Sequence, residues 1–145
     1  MRLCDPYGVN TQRILYQAFA QNDVLVLAIQ PQQLRAGLPQ LAPLLGNNLT
    51  ISLLAGVRLV TLERMLNSTR VVRAMPSTAT LIREGVTGLV ALKQVSAEDR
   101  DIARAVAAAV QQQPWLDDDS QLEAVTAATG SGSTYVSNCL KRLSR

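Results

Sequence analysis

The chain has 145 residues, 48% of them hydrophobic and 17% charged, with no histidine, two cysteines and a net charge of +3. That length fits one domain able to bury roughly 70% of its unfolded surface, and so apolar a composition argues against intrinsic disorder. The missing histidine excludes Ser-His-Asp and Cys-His catalysis, His-bearing zinc sites and an imidazole pH switch. Cys4 and Cys139 lie at opposite ends with no CxxC pair, which excludes a structural zinc and reads as two reduced thiols in a cytosolic protein, the alternative being a single end-to-end bridge. No segment reaches the roughly 20 apolar residues of a membrane span, and the start has no apolar run of signal-peptide length. The expected location is cytoplasmic. Twelve arginines and two lysines are scattered, apart from Lys141, Arg142 and Arg145, and aromatics make up only 3% of the chain. Nucleic acid is therefore not an expected partner, since stacking platforms and a basic stripe are both lacking.

In chain order, the first strand expected is Val24–Ile29, a continuous apolar run closed by Gln30-Pro31. Unbroken runs of this kind belong to strands covered on both faces, as in parallel α/β sheets. A helix is expected over Gln32–Leu45, interrupted by Pro39 and Pro43, then a strand over Leu49–Leu54 and a helix over Leu59–Leu66. Strands follow at Val71–Met75 and Val86–Leu92. Ser96 and Asp99 predict a helix start, with Ile102, Ala105, Val106, Ala109 and Val110 on its apolar face and Pro114 beyond its end. Trp115-Leu116 reads as a last short strand, and Asp117-Asp118-Asp119-Ser120 as the cap of a further helix carrying Leu122 and Val125. Tyr135, Val136, Cys139, Leu140 and Leu143 continue an apolar stripe that calls for a partner surface. The alternation predicts a parallel sheet flanked by helices.

Parallel α/β sheets bind ligands at the carboxyl ends of their strands. The strand ends here are Ala28-Ile29-Gln30-Pro31, Leu54-Ala55-Gly56-Val57 and Met75-Pro76-Ser77-Thr78. Small residues and prolines there either admit a flat ligand to the backbone or simply punctuate the strands. Gly130-Ser131-Gly132-Ser133 is not a dinucleotide fingerprint, because the third small residue would fall on Tyr135 and no strand precedes it. It reads as a helix N-terminus whose amides and Ser131 hydroxyl hold a carboxylate, or as a bend between two helices. Asp117–Asp119 reads as helix-capping carboxylates, and no metal is expected.

Five segments in series resemble pyrroline-5-carboxylate reductase: Asp23–Gln32, Ile51–Val57, Val72–Thr78, Glu84–Thr87 and Ala124–Tyr135. The resemblance implies a Rossmann-like α/β domain over 1–116 and the start of a C-terminal helical dimerisation domain over 117–145. It implies reduction of 1-pyrroline-5-carboxylate to proline with hydride from NADP or NAD in reduced form, a chemistry the cofactor carries without histidine or metal. By resemblance, Ala28, Ile29, Gln30, Pro31, Ala55, Gly56, Met75, Pro76 and Ser77 would bind the cofactor. Asp119, Ser131 and Gly132 would bind substrate, and no residue is assigned as catalytic.

The departures are specific. The family has Lys at Gln30, Asn at Ser77 and Pro-Ala at Ser133-Thr134. The strand–GxGxxG–helix unit that begins the family has no counterpart, so the sheet is expected to lack its first βαβ unit. The dimerisation domain is expected to continue past Arg145. Together these features predict a truncated or degenerate member, with little activity as an isolated chain. Asp5 would fall where Rossmann folds read the ribose 2′-hydroxyl, or it is an ordinary Asp-Pro turn. The alternatives are a non-catalytic α/β interaction module associating through its C-terminal helix, as a homodimer, or another NAD(P)-dependent dehydrogenase.

Overall fold

The computed structural model describes residues 22–41, 43, 45, 47–76, 86–108 and 112–127. Among them, strands β1 (Val24–Leu27), β2 (Leu49–Ser52), β3 (Val71–Pro76) and β4 (Thr87–Ala91) form one sheet in the order β1-β2-β3-β4. The helices are α1 (Pro31–Leu41), α2 (Leu59–Leu66), α3 (Ala97–Ala107) and α4 (Asp119–Thr126). This is the α/β alternation expected of a Rossmann-like domain.

The sheet is mixed rather than all parallel. β1, β2 and β3 pair in parallel, with Leu27 beside Ser52 and Ser52 beside Arg73. β4 pairs antiparallel to β3, Met75 facing Gly88. The reason is chain length. Only residues 77–86 separate β3 from β4, and a parallel crossover needs about a dozen residues or more. The strand expected at Trp115-Leu116 is present only as bridges. Leu89 donates to the Pro114 carbonyl and accepts from Leu116 N, at 3.0 and 2.8 Å, so this segment runs along the outer edge of β4.

Side chains alternate across the strands, and the sheet separates two apolar clusters. One holds Leu27, Leu54, Val71 and Val90 against Leu34 and Leu41 of α1, Leu59, Leu62 and Leu66 of α2, and Leu122 of α4. The other holds Leu49, Ile51, Val72, Ala74 and Leu89 against Ala103 of α3, with Trp115 alongside. All four residues of β2 are buried, Thr50 and Ser52 as well as Leu49 and Ile51, as a central strand covered on both faces requires. β1 differs: it is the edge strand of the described sheet, and Val26 is 44% exposed.

The helix ends follow local chemistry. Pro31 occupies the first position of α1, where its missing N–H costs nothing, and the Gln33 side chain accepts from Gln30 N at 3.0 Å. Pro39 does not break α1, contrary to the expected interruption. It sits in the last turn, where losing one backbone bond is tolerated. α2 matches its expected span and ends on Asn67, in the left-handed region at φ 47°. The Ser96 hydroxyl caps α3 by accepting from Asp99 N at 3.1 Å. The inner face of α3 carries Asp99 and Ala103, both buried, with Ile102 packed beside them, while Val106 on the same side borders an open groove and is 46% exposed. Arg70 holds the Asp99 carboxylate at the start of that face through two hydrogen bonds, 3.0 and 2.6 Å. Burial of Leu122 places α4 in the same core as α1 and α2, across the boundary expected between 116 and 117. Cys4, Asp5, residues 109–111 and the stripe from Tyr135 to Leu143 lie outside the described residues. No helix of the described residues is long and apolar enough to cross a membrane.

Candidate functional site

Because β1, β2 and β3 run parallel and in adjacent register, their carboxyl ends share one rim of the sheet, with neighbouring strands roughly 4.8 Å apart. Ala28, Ile29 and Gln30 leave β1 on this rim and are exposed, and Pro31 begins α1 beside them. Ala55 and Gly56 leave β2 in an exposed turn. Met75 and Pro76 end β3, half-buried and exposed respectively. These eight residues of the expected cofactor set are thus brought to one edge. Ser77, Ser131 and Gly132 lie outside the described residues.

Gly56 adopts φ +70°, a conformation L side chains rarely take, and open space surrounds the position a Cβ would occupy. The turn therefore presents bare backbone to the rim. Behind it, a cavity of about 220 Å³ is lined by Pro31, Arg35, Gly56, Arg58, Thr61 and Met65 among others. It is bounded by the starts of α1 and α2 and carries two guanidinium groups. Arg58 makes only a 4.0 Å ion pair with Glu123 between exposed side chains, a contact of little weight. Arg35, Arg58 and Thr61 were not singled out by sequence reasoning; each sits one or a few residues beyond a strand-end motif, on the first turns of the following helix. Exposed small residues, an open rim and unburied cations suit an elongated anionic ligand such as a dinucleotide.

Asp119 reaches the start of α2 from a separate element. It opens α4, and its carboxylate is engaged on both oxygens: Oδ1 accepts from Arg73 Nη1, and Oδ2 accepts from Leu59 N at 2.9 Å. Arg73 is 1% exposed and its Nε has no hydrogen-bond partner. A charged residue inside Val71-Val72-Arg73-Ala74-Met75 was the signal for this pair, since a buried guanidinium demands a carboxylate. Away from this pair, two carboxyls are held below the ordinary carboxylate range. Asp99 is lowered chiefly by its hydrogen bonds from Arg70, and Asp118 by the Ser120 hydroxyl and the backbone N–H of Gln121. Among the described residues no cluster of metal-ligating side chains occurs.

An open, largely parallel sheet with small residues gathered at its carboxyl rim defines a Rossmann-like α/β domain. The chain is 44% identical to the pyrroline-5-carboxylate reductase of Pseudomonas aeruginosa over 136 residues, 92% of this chain and 50% of that protein. The structure of a pyrroline-5-carboxylate reductase from Coxiella burnetii superposes with a TM-score of 0.85 at 32% identity, covering 97% of this chain and 53% of that one. The Plasmodium falciparum enzyme, solved with NADP bound, shares the fold with a TM-score of 0.74 at 24% identity, over 86% of this chain and 48% of that one. No family model matches the chain. The chain belongs to the pyrroline-5-carboxylate reductase family over the part of those proteins that it spans, about half their length.

Proposed function

We propose that this chain forms the nicotinamide-side half of an NAD(P)H-dependent reductase that converts 1-pyrroline-5-carboxylate to proline. The observation carrying this reading is the rim: Ala28–Pro31, Ala55-Gly56 and Met75-Pro76 converge at the ends of three adjacent strands, in a chain 44% identical to a reductase of that name. NADPH or NADH, when bound, supplies the hydride. The chain's own residues orient it: the bare backbone at Gly56 admits a flat ring, Ala28 to Gln30 flank it, and Met75 with Pro76 and Ser77 close the far side. Ser131 and Gly132 hold the substrate carboxylate. Arg35 and Arg58 add positive charge beside the rim, where the family's lysine is replaced by Gln30. The protein is cytoplasmic in this reading, takes a small-molecule substrate rather than nucleic acid, and pairs as a homodimer through residues beyond α4.

The test is fluorescence titration with NADPH and NADH, coupled to amide exchange and to assay of pyrroline-5-carboxylate reduction. The expected result is dinucleotide affinity on the order of millimolar, because the sequence has no glycine-rich phosphate cradle. Protection should appear at residues 28–31 and 55–57, with reduction slow or undetectable. Protection absent from both segments at saturating dinucleotide would sink the proposal.

The non-catalytic interaction module rests on a different observation. Val26 and Val106, both exposed, flank an apolar groove of about 260 Å³ on the α3 face of the sheet. That reading predicts self-association without any response to dinucleotide.

A further inference from the structure

Arg73 is the largest fully buried side chain among the described residues, and its charge lies on the face of the sheet that carries α2 and α4. Removing a guanidinium from water costs several kcal/mol, and an apolar side chain would fill the same space without that cost. What the arginine adds is a fixed direction. Its planar head anchors one carboxylate, Asp119, which is 19% exposed. That carboxylate spends its second oxygen on Leu59 N, the first amide of α2. Leu59 follows directly on the turn Ala55–Arg58, and Arg58 is the N-cap of α2 without a side-chain cap of its own. The orphan donor that a helix start leaves is thus satisfied from α4, sixty residues away in sequence.

We propose that Arg73 and Asp119 are positioning residues for the rim. Arg73 fixes the Asp119 carboxylate, and Asp119 fixes the start of α2 and with it the Gly56 turn. The inference rests on the reading that this turn faces the nicotinamide. It gives Asp119 a task that uses both of its oxygens inside the protein, in place of the substrate contact the resemblance implies. A neutral hydrogen-bond donor at position 73 could not serve equally, because the carboxylate would be left half-buried without a counter-charge.

The experiment compares the wild-type chain with Arg73→Met, Asp119→Ala and Asp119→Glu. Amide exchange is followed at Leu59 and through Val71–Ala74, alongside titration with NADPH and NADH and, at saturating dinucleotide, with pyrroline-5-carboxylate. Exchange at Leu59 is expected to rise about tenfold or more in Arg73→Met and Asp119→Ala, the loss of one charge-assisted hydrogen bond, while β3 keeps its protection. Dinucleotide affinity should fall in parallel, and Asp119→Glu should recover both. Should Arg73→Met fail to fold, Arg73→Lys, which keeps the charge but loses the planar fork, takes its place with an intermediate effect.

Unchanged Leu59 exchange in both variants overturns the proposal. So does a loss of pyrroline-5-carboxylate affinity in Asp119→Ala at unaltered dinucleotide affinity, which would mean direct contact with substrate. A wild-type chain that binds no dinucleotide defeats the functional reading instead, and the Leu59 exchange still decides whether the pair holds the turn.

Discussion

Gly88 shows how much one missing methyl group decides. A Cβ there would lie 2.7 Å from Leu122 Cδ1 and 3.2 Å from Leu116 Cδ1. Its absence lets α4 settle directly on β4. Leu122 is fully buried. Gly88→Ala should therefore destabilise the chain by about 1–3 kcal/mol, the range for overpacking a core, measured as a lowered urea midpoint at unchanged slope. A variant as stable as wild type would show that Leu122 can swing aside. The sequence did not expose this approach, because a glycine inside Val86–Leu92 reads equally well as a weak strand position. Gly56 was legible as part of a strand-end motif, and its positive φ explains why a glycine stands there. Arg73, a charge amid apolar neighbours, was an available signal that the sequence reading passed over. Its partner was out of reach, since no spacing rule connects residues on different elements.

Among the elements, helix starts were the best read. Ser96 and the Asp117–Ser120 run carry capping chemistry in a four-residue window, and both caps form as expected. The inner face of α3 was read in part: Ile102 packs on the sheet as expected. Val106 on the same side borders an open groove and stays exposed, and the capture of Asp99 by Arg70 on that face was missed. That capture has a pH signature. The carboxyl of Asp99 is lowered in the folded chain, so its contribution to stability is fully present above the unfolded value near 3.9 and lost as pH falls through the folded value. Asp99→Asn should cost about 2 kcal/mol at neutral pH, as expected for charge-assisted hydrogen bonds. It should also flatten the decline in stability below about pH 4. Equal losses at pH 3 and pH 7 in chemical denaturation would show that Arg70 contributes nothing through charge.

At the scale of the whole molecule, alternation of strands and helices gave the fold class, and strand-end motifs gave the rim. Strand direction was within reach but missed: ten residues between β3 and β4 leave no room for a crossover helix. The place of α4 was out of reach, because an apolar stripe says that a helix packs and not on what. Its burial bears on how association is tested. Removing residues from Asp119 onward would strip Leu122 from the core and Asp119 from α2. A chain ending at residue 127 keeps both. Light scattering should find it monomeric and the full chain dimeric if association runs through the C-terminal segment; dimers in both would move the interface to the α/β layers.

The reversal of β4 has a consequence for divergence within this architecture. Pro76 and Thr87, which bracket residues 77–86, are paired neighbours at the carboxyl end of β3, whereas the Arg70–Asp99 clamp stands at the opposite end of the sheet. A loop closing between adjacent strand ends gains little entropic cost from added length, about 0.6 kcal/mol per doubling. Insertions or deletions there would alter the surface beside this end of the sheet without disturbing the clamp that holds α3. The Arg70–Asp99 clamp and the Pro76–Thr87 pair thus stand at opposite ends of β3, so that a change of length at one leaves the other in place.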